Sequence, residues 1–353
     1  MTARRDTRTA PRTLITGGFG FLAAWTAAGL LRCGHEVIAV DNRPVGGTPL
    51  DLAGLADEPG LTTVRADVTR PGALDPCGEV DHVIHAAAVL GVDAVRAAPT
   101  ETLRVNIDGT ATALAYAAAQ PALHRFVLLS TSEVYGSDAG DAAEGDWLSV
   151  RTDDPRWSYA VSKVTAESMT AAYGTEHGLP YTVVRPFNVY GPLRGGSYAV
   201  GRMARQAVRG EPVTVHGDGK QGRTWCHVED FARGLVGCLR SDEALGHAFN
   251  IGDDRNHLTV SELARLLKEV SGSASPVRHI DRNGPDIQNR RPDLSRARTL
   301  LGYEPERDLV EGLRETVQWI SGGARNWQPR LRRADWPSAA VPGAGAAEPG
   351  VRR

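Results

Sequence analysis

The chain has 353 residues, 41% of them hydrophobic, and its 40 basic and 42 acidic side chains leave a formal net charge of −2. That length suits one large domain or two intimate ones, and a near-neutral chain this apolar is neither a disordered segment nor a nucleic-acid binder. Its apolar runs are too short to span a membrane, its polar start lacks a signal core, and its four scattered cysteines suit a reducing cytoplasm rather than a disulfide framework or a metal site.

Residues 1–11 read as a mobile arm. Short apolar runs predict strands at 13–16, 37–41, 82–85, 126–130 and 182–185. Helical periodicity between them predicts helices at 22–32, 102–119 and 158–177, with Gly34 placed for a left-handed cap after the first. The alternation makes the fold α/β: a Rossmann-type doubly wound parallel sheet with right-handed crossovers, over 12–185. Beyond 185 the pattern loosens into helices near 197–210, 229–240, 259–271 and 308–320 and strands near 213–215 and 248–251. A smaller α/β substrate-binding domain at the carboxyl edge of the sheet is expected over 186–321, with 224–252 returning to the first domain. From 322 the chain is rich in Gly, Ala, Pro and Arg and reads as a disordered tail.

The first strand runs into Thr16-Gly17-Gly18-Phe19-Gly20-Phe21-Leu22-Ala23. Gly17 permits a tight turn and Gly20 lets backbone approach a pyrophosphate at a helix N-terminus. The acidic Asp41 ends the second strand, about 20 residues on, where a carboxylate binds the adenosine ribose hydroxyls and repels a 2′-phosphate. NAD is therefore expected, although Arg43 nearby would suit NADP.

These residues resemble the extended short-chain dehydrogenase/reductase family, the NAD-dependent epimerases and dehydratases, with Ala23 where that family usually has its third glycine. The resemblance continues through Asp67-Val68, His85-Ala86-Ala87-Ala88 and Asn106, each similar to a cofactor-side segment of the family. It implies that Phe19, Phe21, Leu22, Asn42 and Pro186 also line the cofactor.

Tyr159 and Lys163 stand four apart, on one face of a helix. A lysine cation beside a phenol favours the phenolate and makes a usable base. Thr131, at the carboxyl end of the 126–130 strand, resembles the family's hydroxyl that bonds the sugar O4. The family's 4,6-dehydratases carry an acidic residue next to it. This chain has Ser132, a poor proton donor, and Glu133 follows. Thr131-Ser132-Glu133, Pro155-Arg156-Trp157-Ser158-Tyr159 and Asn289-Arg290-Arg291-Pro292-Asp293 are similar to segments of the UDP-glucuronate decarboxylases. That implies C4 oxidation followed by loss of carbon dioxide, with Arg290 reaching the active site. Arg185-Pro186-Phe187-Asn188 and Val215-His216-Gly217-Asp218-Gly219-Lys220-Gln221-Gly222-Arg223 are similar to the family's nucleotide segments. They imply Asn188 and Arg223 on the diphosphate and Val215 and His216 at the base. The alternatives are a UDP-sugar 4-epimerase, a dehydratase, and a non-catalytic NAD-binding scaffold. A homodimer through the helices near 110–119 and 161–173 is expected.

Overall fold

The computed structural model describes residues 10–195, 198–281 and 287–322. The expected arm before residue 10 and tail after 322 lie outside the described residues.

The chain opens as strand β1 (Arg12–Thr16), helix α1 (Phe21–Arg32), β2 (Glu36–Asp41), a one-turn α2 (Pro49–Leu52) and β3 (Leu61–Arg65). It continues as β4 (His82–His85), α3 (Val92–Ala97), α4 (Pro99–Ala118) and β5 (Arg125–Leu129). Then come β6 (Asp138–Ala142), α5 (Ser158–His177) and β7 (Tyr181–Pro186). Seven parallel strands form the main sheet in the order β3-β2-β1-β4-β5-β7-β12, where β12 is Ala248–Ile251. Strands β1, β4 and β5 are buried almost throughout. That explains their unbroken apolar runs, because helices cover both faces of a parallel sheet. Strand β3 is an edge with a half-exposed, Thr-rich sequence, so periodicity did not reveal it.

Past β7 the chain forms β8 (Val189–Tyr190), α6 (Ala199–Val208), β9 (Val213–His216), β10 (Gly222–Thr224), β11 (Cys226–His227) and α7 (Val228–Arg240). After β12 follow β13 (His257–Thr259), α8 (Val260–Ser271), β14 (Val277–Ile280), β15 (Asn289–Pro292), α9 (Ser295–Leu301) and α10 (Leu309–Gly322). Thr259 and Glu262 form a capping box at the start of α8, and Gly178 and Gly272 end α5 and α8 in left-handed caps. Val200, Met203, Val213, Leu263 and Leu313 centre a core beneath these later elements. Helix α7 instead packs on α1, and β12 extends the main sheet. The short pairs β6/β15 and β10/β13 join distant segments above the carboxyl ends of the sheet. Among the described residues no helix is long and apolar enough to cross a membrane.

Candidate active site

Two chain reversals at the carboxyl ends of the central strands build the cofactor half. After β1, Gly17 turns with φ 64°. A Cβ there would stand 2.8 Å from the backbone of Ala87, so only glycine lets this turn lie against the loop after β4. The N-terminus of α1 has no side-chain cap, which leaves its backbone amides available to an anion. The Phe19 amide donates to Asp41 Oδ2 at 3.3 Å, which ties the turn to the end of β2. Arg43 grips the same carboxylate with Nε at 2.9 Å and Nη2 at 2.8 Å. Burial opposes the effect, but those hydrogen bonds and the guanidinium charge hold the Asp41 carboxyl below its ordinary range. An open helix end, a turn that excludes Cβ atoms and a carboxylate at the second strand fit a dinucleotide. Arg43 would have to share or release Asp41 when a ribose binds.

The remaining expected cofactor residues divide into wall and support. Asn42 is exposed, and its carbonyl accepts from Arg65 Nε at 3.2 Å. Phe21, Leu22 and Pro186 are partly exposed, while Phe19 is buried. Asp67 bonds the Thr69 amide and hydroxyl, and Val68 is packed in the core. Ala86, Ala87 and Ala88 are half-buried beside the glycine turn. His85 bonds Thr16 and Thr110, and burial pushes it down to about 3, so it is neutral. Asn106 is buried on α4. Its amide bonds both polar atoms of the Val89 backbone and the Ser162 hydroxyl, so it braces the loop against α5.

The catalytic candidates meet where β5 ends and α5 begins. Thr131 Oγ1 accepts from the Glu133 amide at 3.2 Å and caps the turn Ser132–Tyr135. Its hydroxyl also favours the ionised form of the Tyr159 phenol. Burial, with the Glu133 charge adding to it, pushes the Tyr159 phenol well above its ordinary value, while Thr131 and the Arg194 charge pull it back. Lys163 Nζ donates to the Leu129 carbonyl at 2.7 Å. Burial pushes this lysine down to about 8, and the Glu167 carboxylate opposes the shift. Ser132 is buried next to the cap. Glu133 Oε2 accepts from Arg156 Nη1 at 2.9 Å. Arg290, wholly buried on β15, donates to the Gly136 carbonyl just past the turn rather than to Glu133.

On the nucleotide side, Asn188 has φ 37°, and its amide nitrogen is buried with no partner among the described residues. An orphaned donor on strained backbone at this mouth suits a phosphate oxygen. Arg223 lies buried against the Gly222 and Ile287 carbonyls. His216 meets Arg202 at 2.6 Å. Val215 corrects an expectation: its side chain is wholly buried in the core beneath α6 and α8, not directed at a base. Strict alternation along β9 sends it inward.

Sequence reasoning missed Arg194 and Glu167. The Arg194 guanidinium stacks 3.7 Å from the Tyr198 ring centroid and 5.0 Å from that of Phe21, bridging the glycine turn and the region past β8 beside Tyr159. It follows Tyr190-Gly191-Pro192 by two residues, a signal that could have been weighed. Glu167 stands four residues past Lys163 on α5, so helical spacing alone could have flagged it. It binds Arg185 through Nε at 3.0 Å and Nη2 at 2.6 Å and also accepts from Ser130.

Comparison with known proteins bears on this site. The chain matches the NAD dependent epimerase/dehydratase family over residues 13–252. It is 32% identical to a UDP-N-acetyl-alpha-D-glucosaminuronate decarboxylase of Bacillus cytotoxicus over 319 residues, covering 88% of this chain and 97% of the relative. It is 34% identical over 313 residues to UDP-glucuronic acid decarboxylase 1 of Danio rerio, covering 88% of this chain and 72% of the relative. The structure of UDP-glucuronic acid 4-epimerase from Bacillus cereus, solved with UDP-glucuronic acid and NAD, superposes with a TM-score of 0.79 at 27% identity, covering 88% of this chain and 99% of that one. With the glycine turn, Asp41 and the Thr131–Tyr159–Lys163 group all within or beside its crevice, the chain belongs to the NAD dependent epimerase/dehydratase family.

Proposed function

We propose that the chain decarboxylates a UDP-linked hexuronate, UDP-glucuronate first, after oxidising the sugar at C4. The observation that carries this reading is the single turn Thr131-Ser132-Glu133. Its first residue favours ionisation of the Tyr159 phenol, its second is no acid, and its third is ion-paired to the buried Arg156. A 4,6-dehydration needs a proton donor for the C6 hydroxyl, and the Ser132 hydroxyl is too weak an acid for that step.

Bound NAD would supply the acceptor, and later the donor, of the C4 hydride. Tyr159 takes the O4 proton, Thr131 hydrogen-bonds O4, and the Lys163 cation favours the phenolate. The C4 ketone is then β to the C6 carboxylate. The C5–C6 bond breaks, its electron pair passes through C5 onto O4, and carbon dioxide leaves. A proton reaches C5 on the side we assign to Glu133 and Arg290. Tyr159 returns its proton to O4 when C4 is reduced, unless the 4-keto pentose departs first. Asn188 and Arg223 are assigned to the diphosphate, with the His216 region at the base. The four cysteines, free and buried, support a reducing, cytoplasmic setting. A homodimer through α4 and α5 completes the reading, and sedimentation velocity checks it.

The test is incubation of the purified chain with UDP-glucuronate and catalytic NAD, followed by mass spectrometry and proton NMR. A product lighter by one carbon dioxide is expected, as the pentose or its 4-keto form. The relative that is named for an acetamido uronate makes UDP-N-acetylglucosaminuronate the second substrate to try. The resemblance to the Bacillus cereus 4-epimerase supports a second reading, in which the carboxylate stays. An isomer of unchanged mass would establish that one and remove decarboxylation.

A further inference from the structure

Arg156 has more donors than its protein partners use. The residue is 5% exposed, Nη1 donates to Glu133 at 2.9 Å, and Nε is buried with no partner among the described residues. Its guanidinium carbon stands 5.2 Å from the Trp157 ring centroid, which restrains the plane of the fork. Buried guanidinium donors are rarely left unused, and such cases call for a ligand or a function. The other arginines around the catalytic turn are differently engaged. Buried Arg185 spends its donors on Tyr135 and Glu167, buried Arg290 holds the Gly136 carbonyl, and half-buried Arg194 stacks between Tyr198 and Phe21.

The position of Arg156 follows from the turn it is joined to. Thr131, which caps this turn, and Tyr159, in the first turn of α5, are the pair assigned to O4. Glu133, two residues past Thr131, delivers its carboxylate to Arg156. In a hexuronate, C6 is attached to C5, the ring neighbour of C4, so a sugar whose O4 meets Thr131 and Tyr159 carries its carboxylate close to this turn. An arginine fork suits a carboxylate because its planar donors match two oxygens.

We propose that Arg156 is the residue that selects a uronate over a neutral hexose, with Glu133 holding one arm of the fork and the C6 carboxylate of the substrate taking the Nε edge. This rests on the uronate reading above and adds the residue that enforces it. A neutral C6 hydroxymethyl group gains little from that fork. Once carbon dioxide has left, the attraction ends, which favours product release.

The experiment compares wild type, Arg156→Gln and Arg156→Lys in the NAD-loaded enzyme with UDP-glucuronate and with UDP-glucose. Single-turnover absorbance at the reduced-nicotinamide band reads C4 oxidation for both sugars. Arg156→Gln should lower kcat/KM for UDP-glucuronate by about 10- to 100-fold, mostly through KM, and leave UDP-glucose oxidation within about threefold of wild type. Arg156→Lys, with the charge but not the fork, should fall between. Equal losses on both sugars in a folded variant, or an unchanged preference, would overturn the proposal. Should Arg156→Gln not fold, Glu133→Gln gives an independent reading by calorimetric titration of the two sugars. Freeing the second arm of the fork should tighten UDP-glucuronate binding and leave UDP-glucose unchanged, and weaker UDP-glucuronate binding would refute the assignment. The uronate reading itself stands or falls on wild type alone, through its preference for UDP-glucuronate and the product formed.

Discussion

Lys163 and Glu167 occupy successive turns of α5, and the lysine is the group expected to set the alkaline limit of the site. Burial lowers Lys163 to about 8, against the opposing charge of Glu167. A lysine loses its cation as pH rises through that value, so kcat/KM should decline above about pH 8. Glu167→Gln removes the opposing charge, lowers the lysine further and should move that alkaline limb to lower pH. Because Glu167 also holds buried Arg185, a thermal melt should accompany the pH-rate profile. An unmoved limb in a folded Glu167→Gln variant would show that the carboxylate supports structure alone. Tyr159→Phe should keep the fold and reduce C4 oxidation by about a thousandfold, read by single-turnover absorbance. Comparable oxidation in that variant would remove Tyr159 from the role of base.

Two structural elements carry their own liabilities. The turn between β1 and α1 works only with Gly17, where a side chain would meet both a positive φ and the Ala87 backbone at 2.8 Å. Gly17→Ala should cost about 1–3 kcal/mol in urea unfolding and weaken NAD binding, measured by calorimetry. At the opposite, amino ends of the strands, His35, His82 and His124 form a row with ring centroids 5.5 Å and 5.8 Å apart. Burial pushes His35 down to about 4 and His82 to about 3, with Arg240 and the neighbouring imidazole adding respectively. Both fold neutral, so below the ordinary histidine value the unfolded chain binds more protons than the native one. Their stabilisation is complete above about pH 6.5 and is lost as pH falls toward 4 and then 3, at up to about 1.4 kcal/mol per unit for each. Urea midpoints should hold from pH 8 to 7 and drop from 6.5 to 5, and His82→Phe should flatten that drop.

At the scale of the whole molecule, Trp25 ties the cofactor helix to the segment that carries Asn188 and Arg194. It is 1% exposed, donates its indole N–H to the Pro192 carbonyl at 3.2 Å, and stands edge-on to the His227 ring. The surrounding core runs without a break from α1 and β2 through α7 to Leu294 and Tyr303. Such a shared core predicts one cooperative transition, with far-ultraviolet dichroism and tryptophan fluorescence coinciding. Trp25→Ala should cost about 3–5 kcal/mol and weaken both NAD and nucleotide-sugar binding. Two separated transitions in wild type would show that the later segments fold independently of the sheet.

The amino-acid sequence by itself determined the buried strands of the main sheet, the long helices and the glycine turn. Strands β1, β4 and β5 are apolar runs that only a doubly covered sheet buries, and α5 keeps helical spacing from Ser158 to its glycine cap. It also carried Tyr159 and Lys163 as a pair, because helical spacing relates residues four apart without reference to the rest of the chain. Edge strand β3 escaped notice because a half-exposed strand leaves no continuous apolar run. Only the tertiary structure decided which side chains meet. It paired β6 with β15, joined Glu133 to Arg156, set Arg194 between Phe21 and Tyr198, turned Val215 into the core and committed Asn106 to a loop. Ion pairs and hydrogen bonds depend on distances of a few ångströms in space. Those distances arise where loops separated by tens of residues converge over the carboxyl ends of the sheet, which no local pattern encodes.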